Sequence, residues 1–379
     1  MFEKTKALCD SFLDMGIPGF DLMVYQDGKC VLRYRNGYSD REKKTPMKGD
    51  ELFDIFSCSK MFTCVAAMQL WEKGLFQLDD LLSDYMPEFK EMTVKTPDGI
   101  VPAKTQIHIY DLFQMTAGFD YNLVSPSLKQ LRIDTDGRCP TREVARAIAK
   151  EPLQFHPGEK YLYSLAHDVL AALVEVLSGE KFEDYVKKHI FEPAGMTHSD
   201  FLLPMEDYEK VCQLYIGKDN EVVIHPRGKV PVYRIGTEHA SGGAGAVSTV
   251  EDYIKFLEAL RIGDVILKKE TIAMMAVDRL TEQQREMYTY STPGIGYGLG
   301  MRTPRNDPER TEFGWGGAAG AFASVDVVNN ITIYYAQHVL LSPNRHLRPW
   351  IYNAVRADLM GKKIKTPIDE TDDNPELTY

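Results

Sequence analysis

FDIFSCSKMFTCVAAMQLWEKGLFQLDDLLSDYMPEF, residues 53–89, is the stretch whose reading decides the fold of this 379-residue chain. From Ser57 to Lys73 the apolar residues Phe62, Val65, Ala66 and Leu70 recur at helical spacing, and Gly74 stands where a helix C-terminus wants a glycine. Ser57 therefore falls at a helix start, with Lys60 one turn further on the same face. Backbone N–H groups at such a start can donate to an oxyanion, and the lysine amine is brought towards the serine hydroxyl. Ser-x-x-Lys spacing alone decides nothing, because composition gives about one or two matches in a chain of this length. The second copy, Ser178 and Lys181, sits at a helix end beside Gly179, where the negative end of the dipole opposes an alkoxide. A plain N-cap remains an alternative for Ser57. To act as a base, Lys60 must be lowered by ~3 pKa units, about 4 kcal/mol of desolvation and positive potential. Burial beside Phe56 and Met61 is the expected source.

Outward from this helix, residues 20–36 read as two strands around Asp27-Gly28, a tight hairpin signal. From 75 to about 215 the pattern is mostly helical, cut by prolines, with its clearest helix from Ser164 to Leu177 ending at Gly179. Beyond roughly 220 the character is mixed. Thr249 to Leu260 is a helix with Thr249-x-x-Asp252 at its start, 320–340 holds two strands around Asn329-Asn330, and His346 to Met360 reads as a closing helix. The expected architecture is α/β plus α: an antiparallel sheet flanked by helices, built from residues 1–75 and 216–365, with a mostly helical insertion over 76–215. The last fourteen residues, 366–379, carry five acids and no base and read as a solvated tail.

A 44% hydrophobic, 26% charged composition is that of a packed globular protein, and 379 residues leave room for one large or two interleaved domains. The net charge of −11 opposes nucleic acid and anionic membranes as partners. No run of about 18 apolar residues is present. The first twenty residues lack the apolar core of a signal peptide, so a cytoplasmic location is expected unless a leader has been trimmed. Cysteines 9, 30, 58, 64, 139 and 212 lack disulfide or zinc spacing and read as buried free thiols, with Cys58 beside the candidate nucleophile. The nine histidines form no H-x-H or convincing i,i+4 pair, and G-x-S-x-G, H-E-x-x-H and the P-loop motif are missing. Gly314-x-Gly316-x-x-Ala319 lacks the strand-to-helix setting of a dinucleotide site. No metal or organic cofactor is expected.

Residues 53–89 are similar to the nucleophile region of class C β-lactamases, family VIII carboxylesterases and related penicillin-binding-protein-like serine peptidases. HIYDLFQMTAGFDY (108–121), the tyrosine segment 156–201, GGAGAVSTVEDYIKF (242–256), GYGLG (296–300) and FGWGGAAGAF (313–322) follow in that family's order. The resemblance implies that Ser57 is acylated, that Lys60 shares its proton, and that Tyr163 is the second general acid or base. Tyr161 is an alternative to Tyr163, and which residue is the base stays open. Two departures matter. Where the family's β-lactamases have an asparagine two residues after the tyrosine, this chain has Leu165, and where they have Lys-Thr-Gly on an edge strand it has Trp315-Gly316-Gly317. Each lost polar handle is worth about 1–3 kcal/mol for a β-lactam. The tryptophan resembles the carboxylesterases instead. The resemblance thus implies a serine hydrolase working through an acyl-enzyme on a small uncharged ester, with amide hydrolysis, acyl transfer or a catalytically silent binding role as rivals. Ala318 N–H would join Ser57 N–H in an oxyanion hole, Gly316 and Gly317 would let substrate approach the backbone, and Trp315 would wall the acyl pocket. Tyr121, Asn122 and His167 are further candidates for the pocket, each equally compatible with a structural role. Substrate identity and oligomeric state are not readable from the sequence.

Overall fold

The computed structural model describes residues 1–228, 230–288, 294–305 and 310–361. The acidic segment 366–379 lies outside the described residues. An antiparallel eight-stranded sheet is built from both ends of the chain. Its strands are β1 (Gly19–Gln26), β2 (Lys29–Asp40), β3 (Thr45–Pro46), β4 (Ile295–Tyr297), β5 (Arg302–Pro304), β6 (Glu312–Gly316), β7 (Phe322–Asp326) and β8 (Ile331–Ala336). They lie in the order β4-β5-β6-β7-β8-β1-β2-β3. The β1–β2 hairpin turns at Asp27 and Gly28, whose φ values of 50° and 75° are the pair a tight primed turn demands. Pairing of β1 with β8, Asp21 with Ala336 through Gln26 with Ile331, joins the N-terminal hairpin to the C-terminal strands.

Both faces of the central strands are covered, so β8 is buried at every position from Ile331 to Ala336. Alternation sorts its side chains. Ile331, Ile333 and Tyr335 join Leu22 and Val24 under two helices, α1 (Glu3–Asp14) and the C-terminal helix Trp350–Met360, through Phe12, Ile351, Tyr352 and Val355. Tyr334 and Ala336 face the other way into the larger core. There the ring of Tyr253, from helix Val250–Ile262, stacks on Tyr334 with centroids 4.2 Å apart.

Helix α2 (Ser59–Glu72) is buried along nearly its whole circumference, the pattern of a helix through the middle of a core. It packs on helix α3 (Ala166–Ser178), which is apolar on all sides over Val169–Val174 and ends at Gly179 with φ 72°. Numbered after these, α4 is the helix Val250–Ile262 and α5 the helix Trp350–Met360. Thr249 caps α4, its hydroxyl accepting the Asp252 N–H at 3.0 Å. Among the described residues no helix is long and apolar enough to cross a membrane.

Four expectations need correction. Helix α5 starts at Trp350, not His346, because 342–349 form turns around the buried Asn344. Helix α3 starts at Ala166, with Ser164 accepting the Ala166 N–H from just outside it. Strand β6 is not a sheet edge: the short β4–β5 hairpin covers it, although β5 pairs with it only through Arg302 and Gly314, below the Trp315–Gly316 end. Of the six cysteines, all free, Cys30 is exposed on β2 and only the other five are buried.

Candidate active site

Ser57 does not begin an α-helix directly. It occupies a 3₁₀ turn, Phe56–Cys58, that leads into α2. Phe56 carries a φ of 47°, a left-handed conformation that costs a non-glycine residue about 1–2 kcal/mol. Its ring is held in return by Tyr233, edge to face at 5.5 Å, and by His338 at 6.2 Å. At that kink Ser57 is half-buried while its neighbours Phe56 and Cys58 are fully buried. Cys58 is inert by burial, which pushes its thiol up to about 12, and its carbonyl accepts the Tyr253 hydroxyl at 2.9 Å.

Lys60 is fully buried, and its Nζ lies 3.4 Å from Ser57 Oγ and donates to the Gly243 carbonyl at 2.7 Å. Its amine faces the rings of Tyr163, with Nζ 4.5 Å from the centroid, and of Tyr121, at 5.4 Å. Burial brings the amine down to about 7, against the opposing pull of the Asp168 carboxylate. The segment that receives Lys60 threads beside α2 because it lacks side chains. A Cβ on Gly242 would lie 2.3 Å from the His167 carbonyl, and one on Gly243 would lie 2.7 Å from Asp168 Oδ2.

Tyr163 is in hydrogen-bond contact with Ser57 and accepts the Trp315 indole N–H at 3.3 Å. Tyr121, Tyr163 and Trp315 form one stack, with centroid separations of 5.7 and 5.9 Å. Burial raises the Tyr163 phenol well above its ordinary value despite the hydrogen bonds from Ser57 and Trp315. At neutral pH the pair therefore consists of a protonated phenol and an amine close to its titration point. Tyr161, by contrast, is buried against Tyr288 and Tyr297, at 5.0 and 5.3 Å.

The remaining candidates separate. Tyr121 joins the site through its stack on Tyr163. Asn122 does not: it is exposed and closes a local turn, its Oδ1 accepting the Val124 N–H at 3.0 Å. His167 is wholly buried against α2, 3.6 Å from Cys64 Sγ, and burial holds its imidazole at about 3, so it is a neutral packing residue. Gly316 is half-buried at the end of β6, and Ala318 is exposed in the turn that follows it. Gly317 serves a close approach different from the one expected. A Cβ there would sit 2.5 Å from the Ile55 carbonyl, and its own N–H is spent on Ala321 O at 2.8 Å. The glycine lets the β6 turn lie against the backbone that carries Ser57. Leu165 is 3% exposed, its side chain in the core.

Sequence reasoning missed the buried polar group behind Lys60. Asp168 Oδ1 accepts the Ser241 hydroxyl at 2.6 Å and lies 3.2 Å from His239 Nε2. Burial pushes this carboxyl up, but His239, Ser241 and Lys60 together outweigh it and hold it below the usual carboxylate range. An acid in the first turn of the otherwise apolar AHDVLAALV was the available signal.

A serine, a depressed lysine and a protonated tyrosine around one hydroxyl are the parts of acyl transfer without a metal. The Beta-lactamase family model matches residues 6–356. The chain belongs to the beta-lactamase family. This beta-lactamase-family protein is a serine hydrolase, with the antiparallel sheet and flanking helices of the penicillin-binding-protein fold. It is 28% identical over 359 residues to Esterase EstB of Burkholderia gladioli, covering 85% of this chain and 86% of that one. A putative D-alanyl-D-alanine carboxypeptidase of Salmonella typhi is 26% identical over 358 residues, 85% of this chain and 78% of the relative. Among solved structures, EstCE1, described as a hydrolase with promiscuous acyltransferase activity, superposes with a TM-score of 0.77 at 26% identity, covering 93% of this chain and 97% of that chain.

Proposed function

We propose that the protein is a carboxylesterase for small uncharged acyl esters, with Ser57 as nucleophile. Ser57 Oγ attacks the ester carbonyl and its proton passes to Lys60 Nζ, 3.4 Å away, which is near its titration point at neutral pH. Tyr163, a protonated phenol beside the same hydroxyl, donates to the departing alkoxide, and Lys60 restores its proton. Water then attacks the acyl-enzyme by the reverse route, returning Ser57. Ser57 N–H and Ala318 N–H are assigned to the oxyanion, which needs only backbone donors. In this reading 1–75 and 216–365 form a sheet-bearing unit that brings Ser57, Lys60 and Trp315, and 76–215 a helical unit that brings Tyr121 and Tyr163.

The observation that carries the ester preference is Trp315. It places an indole, hydrogen-bonded to Tyr163, where the family's β-lactamases carry an ammonium, and Leu165 turns the position of their asparagine into core. The similarity to EstB is consistent with this choice. Parallel kinetics on p-nitrophenyl acetate, a D-alanyl-D-alanine peptide and a chromogenic cephalosporin test it. The ester is expected to give the highest kcat/KM, and a higher value on the peptide would overturn the assignment. An alcohol that outcompetes water for the acyl group would make acyl transfer the activity instead.

Tyr163→Phe keeps the ring stack and removes the proton donor. It is expected to lower kcat/KM, which reports acylation, about 100-fold on an alkyl ester, whose alkoxide must be protonated to leave. On p-nitrophenyl acetate, whose leaving group departs as an anion, the loss is expected to be much smaller. Equal losses on the two substrates would remove Tyr163 from the role of acid.

A further inference from the structure

The buried carboxylate on α3 has one oxygen fully engaged and one not. Asp168 is 1% exposed, its Oδ1 takes both the Ser241 hydroxyl and the His239 contact, and its Oδ2 has no hydrogen-bond partner among the described residues. A buried ion is tolerated where its charge is answered, and a carboxylate serving only the packing of α3 against 239–243 would be satisfied at both oxygens. The free oxygen faces a small gap. The point where a Gly243 Cβ would stand lies 2.7 Å from Asp168 Oδ2, 3.4 Å from Lys60 Nζ and 3.5 Å from the Tyr121 hydroxyl. Any side chain at 243 would fill it, so glycine keeps anion, amine and phenol facing one another without letting anion and amine close into a salt bridge.

We propose that Asp168 is a positioning residue for the reaction: across the gap kept by Gly243, its free oxygen stabilises the positive charge that Lys60 gains on taking the Ser57 proton. The proposal rests on the reading of Ser57 as nucleophile and Lys60 as base. A closed ion pair would hold Lys60 permanently protonated and unable to accept. With no anion, protonated Lys60 would face only the Ser57 oxygen, the Gly243 carbonyl and the faces of Tyr121 and Tyr163, none of them an anion. An anion held at intermediate range lets the amine be neutral at rest and cationic in the transition state. His239 is oriented for its part, because its Nδ1 accepts the Ile235 N–H at 3.0 Å, which leaves the ring hydrogen of a neutral imidazole on Nε2, towards Asp168. The other titratable groups around Lys60 are Tyr121, Tyr163, Cys58, Cys64 and His167; the thiols are raised by burial and His167 is neutral, so Asp168 is the anion among them.

The test is the pH profile of Asp168→Asn, an isosteric change that removes the charge. Asp168 raises the amine's pKa, so its loss lowers it, and the acidic limb of kcat/KM is expected to move about one unit to lower pH. In the same variant kcat is expected to fall at least ~10-fold, with KM little changed because Asp168 does not touch substrate. Asp168→Glu, which keeps the charge, is expected to keep the wild-type limb. Where Asp168→Asn does not fold, Gly243→Ala carries the test, since its methyl must push Oδ2 and Nζ apart and should shift the limb in the same direction. A folded Asp168→Asn or Gly243→Ala enzyme with the wild-type limb would overturn the proposal. Labelling by a fluorophosphonate in each variant separates that outcome from failure of the underlying reading: adduct retained at Ser57 with an unmoved limb removes Asp168 alone, whereas equal labelling of Ser57→Ala removes the reading itself.

Discussion

Lys60→Met is expected to lower kcat/KM for an ester about a thousandfold while making the protein more stable at neutral pH. The loss follows from removing the group that accepts the Ser57 proton, and general-base contributions of about 10²–10⁴-fold are usual. The gain follows from the amine's burial. Its pKa falls from 10.5 when exposed to about 7 in the fold. A lysine with a depressed folded value destabilises fully below that value, and the cost fades as pH rises towards 10.5, because only the unfolded chain then binds the proton. Near pH 7 the cost is on the order of 4 kcal/mol, set against ~1–3 kcal/mol for leaving the Gly243 carbonyl without its donor. A methionine of similar length fills the space between Tyr121 and Tyr163. Melting temperatures of the two proteins from pH 6.5 to 10 check the sign: the variant should lead at pH 6.5, and its lead should shrink steadily with rising pH. A constant difference would mean that Lys60 is not buried as a near-neutral amine.

Ser57→Ala is the other change with a large effect. It deletes the oxygen that would carry the acyl group while leaving Lys60, Tyr163 and the Trp315 stack in place. Because Ser57 is half-buried and its hydroxyl caps nothing, the fold should tolerate the change within about 0.5 kcal/mol. Ester turnover should fall at least ~10⁴-fold, to what the oxyanion donors and binding alone provide. Unchanged melting with lost turnover would separate chemistry from folding, which Lys60→Met, with its change in both, cannot do.

Much of this arrangement is visible in the residues, and the rest is hidden for identifiable reasons. The 3.6-residue spacing of Phe62, Val65, Ala66 and Leu70 marks α2, and Asp27-Gly28 marks the β1–β2 turn, because both signals are local. The left-handed Phe56 is not local: its conformation is held by Tyr233 and His338, residues 177 and 282 positions away. The hairpin that covers β6 consists of strands of three residues each, too short for alternation to show. Gly317 reads from the sequence as a glycine for close approach of substrate, whereas the close approach present is to the Ile55 carbonyl, a partner that can be found only once β6 lies against the Ser57 turn. His167 and Asp168 are adjacent on α3, and the histidine was singled out although the acid is the one turned towards Lys60. The 100° step between neighbours on a helix sends one ring to Cys64 and the other side chain to Ser241.

The most direct test of the central claim is intact-protein mass spectrometry after treatment with a fluorophosphonate, run on wild type and Ser57→Ala side by side. Acylation through Ser57 predicts a single adduct on wild type, mapping to the peptide that contains Ser57, and none on the variant. An adduct of equal yield on Ser57→Ala would contradict it.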